Sequence, residues 1–115
     1  MHLKRFDDAQ PYEAPNHFGC FGLRLQGFEE GGPTNQWIGF SQFLPGGGAG
    51  PDSTPFEKVY VLLEGEMTLT VDGTATVLKP LDSCTIPAGE ERVLENKSNQ
   101  TAKMLVVIPY PPAES

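Results

Sequence analysis

At 115 residues the chain has the length of one domain, enough to close a core without disulfides or a structural metal. Eight Lys and Arg stand against 15 Asp and Glu, and the formal charge of -7 repels phosphate backbones and anionic membrane surfaces, so neither nucleic acid nor a membrane is an expected partner. No apolar run approaches a transmembrane helix or a signal-peptide core, and Cys20 and Cys84 form no CxxC, so a protein of the reducing cytoplasm with two buried free thiols is expected.

Residues Met1 to Asn16 mix charge with Pro11 and Pro15 and show no period, which predicts an irregular arm or one short edge strand. His17 to Gln26 is rich in aromatic and aliphatic residues and reads as a strand, followed by the turn chemistry of Gly27 to Thr34. Gln36 to Leu44 is a second strand, apolar on both faces and expected to lie in a sheet covered on both sides, with the Pro45-Gly46-Gly47-Gly48 run ending it. Lys58 to Leu63 is a third. Alternation puts Lys58, Tyr60 and Leu62 on one of its faces and Val59, Val61 and Leu63 on the other. Met67, Leu69 and Val71 alternate with polar neighbours up to Asp72-Gly73, a two-residue hairpin turn of the I′ kind, and Thr74 to Leu78 returns as the partner strand. Short extended pieces follow at Ser83 to Ile86 and Arg92 to Leu94, with the Pro87-Ala88-Gly89 corner between them, and Ala102 to Ile108 is the last strand. No window has a helical period, so the fold class is all-β, an antiparallel sandwich or barrel in one domain spanning 1–115.

Two stretches resemble the signatures of the cupin superfamily. The first signature usually runs Pro-Gly, a few residues, His-x-His-Pro, two residues, Glu, then an apolar strand ending in Glu-Gly. Here it is matched in frame by Pro45-Gly46, then Asp52 to Lys58, then Val59 to Leu63 and Glu64-Gly65. The second runs Gly-Asp, four residues, Pro-x-Gly, two residues, His, three residues, Asn, and is matched by Leu81-Asp82, Pro87-Ala88-Gly89, Arg92 and Asn96. The resemblance covers about Leu44 to Ile108 and implies a double-stranded β-helix, the jelly-roll barrel of two antiparallel sheets, which agrees with the strands read without it. In metal-binding cupins the histidines and glutamate of these signatures hold one divalent ion. Carried over position by position, those four places hold Asp52, Thr54, Lys58 and Arg92. Two of them are cations, so the usual cupin metal is expected to be absent, with no other cofactor in its place.

The resemblance further implies that Lys58 and Arg92 project from neighbouring strands into one barrel mouth beside Tyr60. These three are the expected catalytic residues, with Asp52, Thr54, Trp37, Ser41 and Gln42 as ligand-binding residues. Arg offers a planar fork to a carboxylate, Lys a compact charge, and burial of the pair lowers the lysine pKa toward that of a base. A small organic acid or carbonyl metabolite is the expected ligand, handled by non-redox isomerase, lyase or cyclase chemistry. A non-catalytic binding or sensing protein on the same pocket, and a metal enzyme such as a dioxygenase with His17 or other atypical ligands, remain open. In the competing structural reading Lys58 pairs at the rim with Glu57, Glu64 or Glu90, and Arg92 is tied to Asp52 or Glu95. Asn96 and Gly89 are assigned to turn geometry. Whether His17 or Cys84 reaches the pocket is left open. A homodimer is expected, because cupin barrels pair and Val59, Val61 and Leu63 need cover.

Overall fold

The structure is a computed structural model and describes residues 1–111. A 3-10 turn at Phe6–Asp8 precedes nine strands: β1 (Gln10–Tyr12), β2 (His17–Gln26), β3 (Gln36–Asp52), β4 (Lys58–Glu64), β5 (Met67–Val71), β6 (Thr74–Leu78), β7 (Ser83–Ile86), β8 (Arg92–Glu95) and β9 (Ala102–Pro109). All pairings are antiparallel, in the order β6-β5-β8-β3-β9-β4-β7, with β2 also on β3 and β1 on β2. This is the expected all-β fold, a nearly closed barrel, and no helix among the described residues is long and apolar enough to cross a membrane.

The strand at β3 is longer than its composition predicts, because the Gly/Pro run bends it instead of ending it. Residues Gln36 to Phe43 pair with β9, whereas Gly48 to Asp52 pair with β8, so one strand turns the corner from one sheet to the other. Gly46, at φ +82, supplies the turn in a conformation that side-chain-bearing residues rarely adopt. A side chain on Gly48 would run into the Leu94 carbonyl. The corner is closed by Gly46 N–H donating to the Asn96 carbonyl and Asn96 N–H donating to the Gly47 carbonyl, both at 2.8 Å. The predicted I′ hairpin is present, with Asp72 at φ 50 and Gly73 at φ 75.

Alternation decides what faces inward. Phe43, Tyr60, Leu62, Met67, Leu94 and Met104 are the large apolar residues of the core. On β3, Ser41 and Phe43 point in, whereas Phe40 points out and is buried by Phe6 of the N-terminal arm, which meets it edge-on at 5.4 Å. The outer face of β3 is thus covered only in part, with Ile38 and Gln42 half-buried. The arm is pinned through Glu29, whose carboxylate accepts from Lys4 Nζ at 2.8 Å and lies 3.1 Å from His2 Nε2. On β4 the outward Val59 and Val61 are half-buried and Leu63 is exposed within the monomer.

Candidate functional site

The inward faces enclose a cavity of about 390 Å3. Lys58 and Tyr60 enter it from β4, and Arg92 enters from the start of β8. Strands β4 and β8 are not neighbours: β4 pairs with β7 and β9, and β8 with β3 and β5. The two cations therefore meet across the barrel, which corrects the expectation that they project from adjacent strands. Asp52, at the end of β3, is the register partner of Arg92, and its Oδ1 accepts from the Ser53 amide at 2.8 Å. Thr54 lines the cavity from the loop that follows. Its Oγ1 donates to the Phe56 carbonyl at 2.9 Å and its carbonyl accepts from Gly89 at 2.8 Å, so this threonine fastens the loop beneath the site.

Lys58 and Arg92 are only 5% and 4% exposed. Arg92 Nε donates to the Tyr60 hydroxyl at 2.8 Å and its Nη1 to the Gly50 carbonyl at 3.0 Å, both neutral acceptors, and no carboxylate among the described residues forms an ion pair with it. Lys58 Nζ lies 5.8 Å from the centre of the Tyr60 ring. The rim pairings of the structural reading do not form among the described residues: Glu64 instead binds Lys103 at 3.0 Å, and Glu95 lies 3.7 Å from Lys97. Burial first, then the charge of Arg92, lowers the Lys58 pKa to about 8 against an opposing pull from Asp52. Burial raises the Tyr60 pKa, with Arg92 opposing.

Trp37 and Ser41 line the cavity as expected. Gln42 does not: a strand turns its side chains out and in with period two, so when Ser41 points in, Gln42 points to the outer face. His17 does reach the cavity, whereas Cys84 packs against the core outside it. His17 Nδ1 lies 2.7 Å from the Pro15 carbonyl, which can only accept, so Nδ1 carries the proton and Nε2 keeps its lone pair. Burial first lowers its pKa, and Arg92 and Lys58 push the same way, which favours the neutral ring. Tyr12 and Glu13 of the arm, Arg24 and Phe28 also line the cavity and were not singled out from the sequence. The arm has no period to show that it folds over the mouth, but Arg24 did leave a signal, a lone charge between Leu23 and Leu25 in an otherwise apolar strand.

The four positions that hold a metal in metal-binding cupins offer one carboxylate, one hydroxyl and two buried cationic groups. Such a set does not fit a divalent ion, and no cluster of three or more His, Cys, Asp or Glu with metal-binding geometry occurs among the described residues.

Residues 39–108 match the family model described as the Cupin domain. The chain is 44% identical, over 99% of its length and 98% of the relative's, to a protein named β-D-galactosidase Rv1717 from Mycobacterium tuberculosis. Among solved structures it resembles the polyketide cyclase RemF from Streptomyces resistomycificus, with a TM-score of 0.85 and 24% identity over 97% of this chain and 82% of that one. It also resembles a sugar phosphate isomerase of the cupin superfamily from Silicibacter pomeroyi, with a TM-score of 0.80 and 20% identity over 96% of this chain and 77% of that one. At those identities the two structures speak for the fold alone. The domain match, the full-length relative and the barrel agree with both signatures, and the chain belongs to the cupin superfamily.

Proposed function

We propose that the cavity binds a small galactose-derived sugar and hydrolyses a β-galactosidic bond without a metal ion. The observation that carries this reading is one cavity holding a buried lysine, to which no carboxylate among the described residues is bonded, together with the carboxylates of Asp52 and Glu13. The full-length relative named a galactosidase supports the choice of substrate. At neutral pH most Lys58 is protonated, and its lowered pKa makes it a stronger acid than an ordinary lysine. Lys58 gives its proton to the departing glycosidic oxygen as the bond to the anomeric carbon breaks. Its positive charge leaves as positive charge develops on the sugar, which limits the repulsion that a fixed cation would impose. A water attacks the anomeric carbon and passes its proton to Asp52, and exchange with solvent returns both groups to their starting states. In this reading Arg92, held by Tyr60 and Gly50, binds sugar oxygens.

One observation favours a second reading: two buried cations share this cavity, and among the described residues the Arg92 side chain has only neutral hydrogen-bond partners. In that reading the substrate is a small carboxylate-bearing metabolite, neutral Lys58 removes a proton as base, and Arg92 stabilises the resulting enolate in an isomerase, lyase or cyclase reaction. Release of 4-nitrophenol from 4-nitrophenyl β-D-galactoside decides between them, and saturable sugar binding without turnover would make the protein a sensor. A homodimer belongs to the same proposal, because the outward side of β4 is covered only in part in the monomer. Light scattering at micromolar concentration is expected to give twice the chain mass, and a monomer mass contradicts the pairing.

A further inference from the structure

The cavity has a second cationic end that the chemistry above does not use. Tyr60, Val106, Gly39 and Arg24 are successive register partners across β4, β9, β3 and β2. Residues in one row share a face, so Arg24 enters the same interior as Tyr60, three strand spacings or about 14 Å of sheet away. Between them Gly39 has no side chain, and the space that one would take is occupied by the Tyr12 hydroxyl. The Arg24 guanidinium carbon lies 4.8 Å from the centre of the Phe28 ring, 5.6 Å from that of Trp37 and 5.7 Å from that of Tyr12.

Those rings attract the cation but accept no hydrogen bond in the guanidinium plane. Arg24 Nε is buried and has no hydrogen-bond partner, the only such buried side-chain polar atom among the described residues. No described carboxylate forms an ion pair with Arg24. A buried donor without an acceptor costs free energy that an incoming anion recovers, and the planar fork of arginine matches a carboxylate. Arg92 differs in this respect, because its Nε and Nη1 are already bonded within the protein. The aromatic surroundings favour a planar group carrying that carboxylate.

We propose that Arg24 is an anion subsite for the leaving group, so that the aglycone is an aromatic carboxylate whose ring lies against Trp37 and Phe28 and whose carboxylate takes the Arg24 Nε–H. The assignment of this group as the aglycone rests on the galactoside reading, whereas the subsite itself is tested by binding alone. Trp37 is the sole tryptophan and stands beside Arg24, so its fluorescence reports occupancy. Titration with 4-hydroxybenzoate is expected to quench it saturably, at an affinity at least about tenfold above that of the neutral 4-hydroxybenzamide. Arg24→Met, which keeps an apolar side chain among the rings, is expected to abolish that preference, and Arg24→Lys to restore part of it. Galactose affinity, read by calorimetry, is expected to be unchanged in both variants. Equal affinity of the acid and the amide for the wild-type protein overturns the proposal, and this comparison needs no variant to fold. A preference that survives Arg24→Met but disappears in Arg92→Met also overturns it, by moving the anion to the other end. Failure of galactose to bind removes the galactoside reading and leaves the Arg24 result intact.

Discussion

Lys58→Met is expected to slow hydrolysis of methyl β-D-galactoside by about 10²–10⁴-fold, the usual worth of a positioned general acid. The loss should be much smaller for 4-nitrophenyl β-D-galactoside, because nitrophenolate departs without needing a proton. That contrast separates proton donation from substrate binding, which would affect both substrates alike. Wild-type turnover of the methyl glycoside should fall as pH rises through about 8, where Lys58 loses its proton. If Lys58 is instead the base of an enolisation, activity on the carboxylate substrate rises through the same pH.

The same variant should be more stable at neutral pH. The folded pKa of about 8 lies below the ordinary 10.5, so between those values the unfolded chain binds more protons and stability increases with pH. The stability that this shift contributes is complete above 10.5 and is lost as pH falls through about 8. At pH 7 the wild-type protein therefore bears the cost of burying a charged lysine, offset in part by Asp52, and methionine removes it. Thermal melts at pH 7 should give Lys58→Met the higher Tm, and a lower Tm in a still-folded variant contradicts a net cost of the buried charge.

Asn96→Ala is expected to be the most damaging single change to the fold. The side chain is 1% exposed, and its Nδ2 donates to the Phe43 carbonyl at 2.9 Å and the Gln100 carbonyl at 2.7 Å. Its Oδ1 accepts from the Ser98 amide at 3.0 Å and the Ser98 hydroxyl at 2.7 Å. Together with its backbone bonds to Gly46 and Gly47, one residue ties the β3 corner to the loop before β9. At about 1 kcal/mol for each of these side-chain bonds, the loss should reach about 3–5 kcal/mol. In a chain of this size that lowers Tm by about 10–20 °C. A drop below a few degrees would show that water replaces the side chain. Damage should extend to the site, since Phe43 stacks against His17 with ring centres 6.3 Å apart.

What was legible from sequence is what depends on neighbours along the chain. The bounds of β2, the Asp72-Gly73 hairpin and the shared inward face of Lys58 and Tyr60 all follow from period-two alternation and turn chemistry. The same alternation already argued against placing both Ser41 and Gln42 in the pocket, because adjacent strand residues face opposite ways. The glycine run after Leu44 misleads for a different reason. Composition cannot separate a strand that stops from one that bends around another backbone, and the close approach of Gly48 to Leu94 joins residues far apart in sequence. Tyr12, Glu13 and His17 reach the cavity through the path of the arm and of β2 along β3, which no local pattern encodes. The Arg24 environment likewise depends on Phe28, Trp37 and Tyr12 arriving from separate segments.

The exchange of the family's metal-ligand positions for Asp52, Thr54, Lys58 and Arg92 is the centre of the account, and one assay meets it directly. Protein dialysed against EDTA, and verified by elemental analysis to be free of divalent metal, should hydrolyse 4-nitrophenyl β-D-galactoside at the rate of untreated protein. Activity lost on chelation and regained with a stoichiometrically bound divalent ion would contradict a site whose chemistry rests on Lys58 and Asp52.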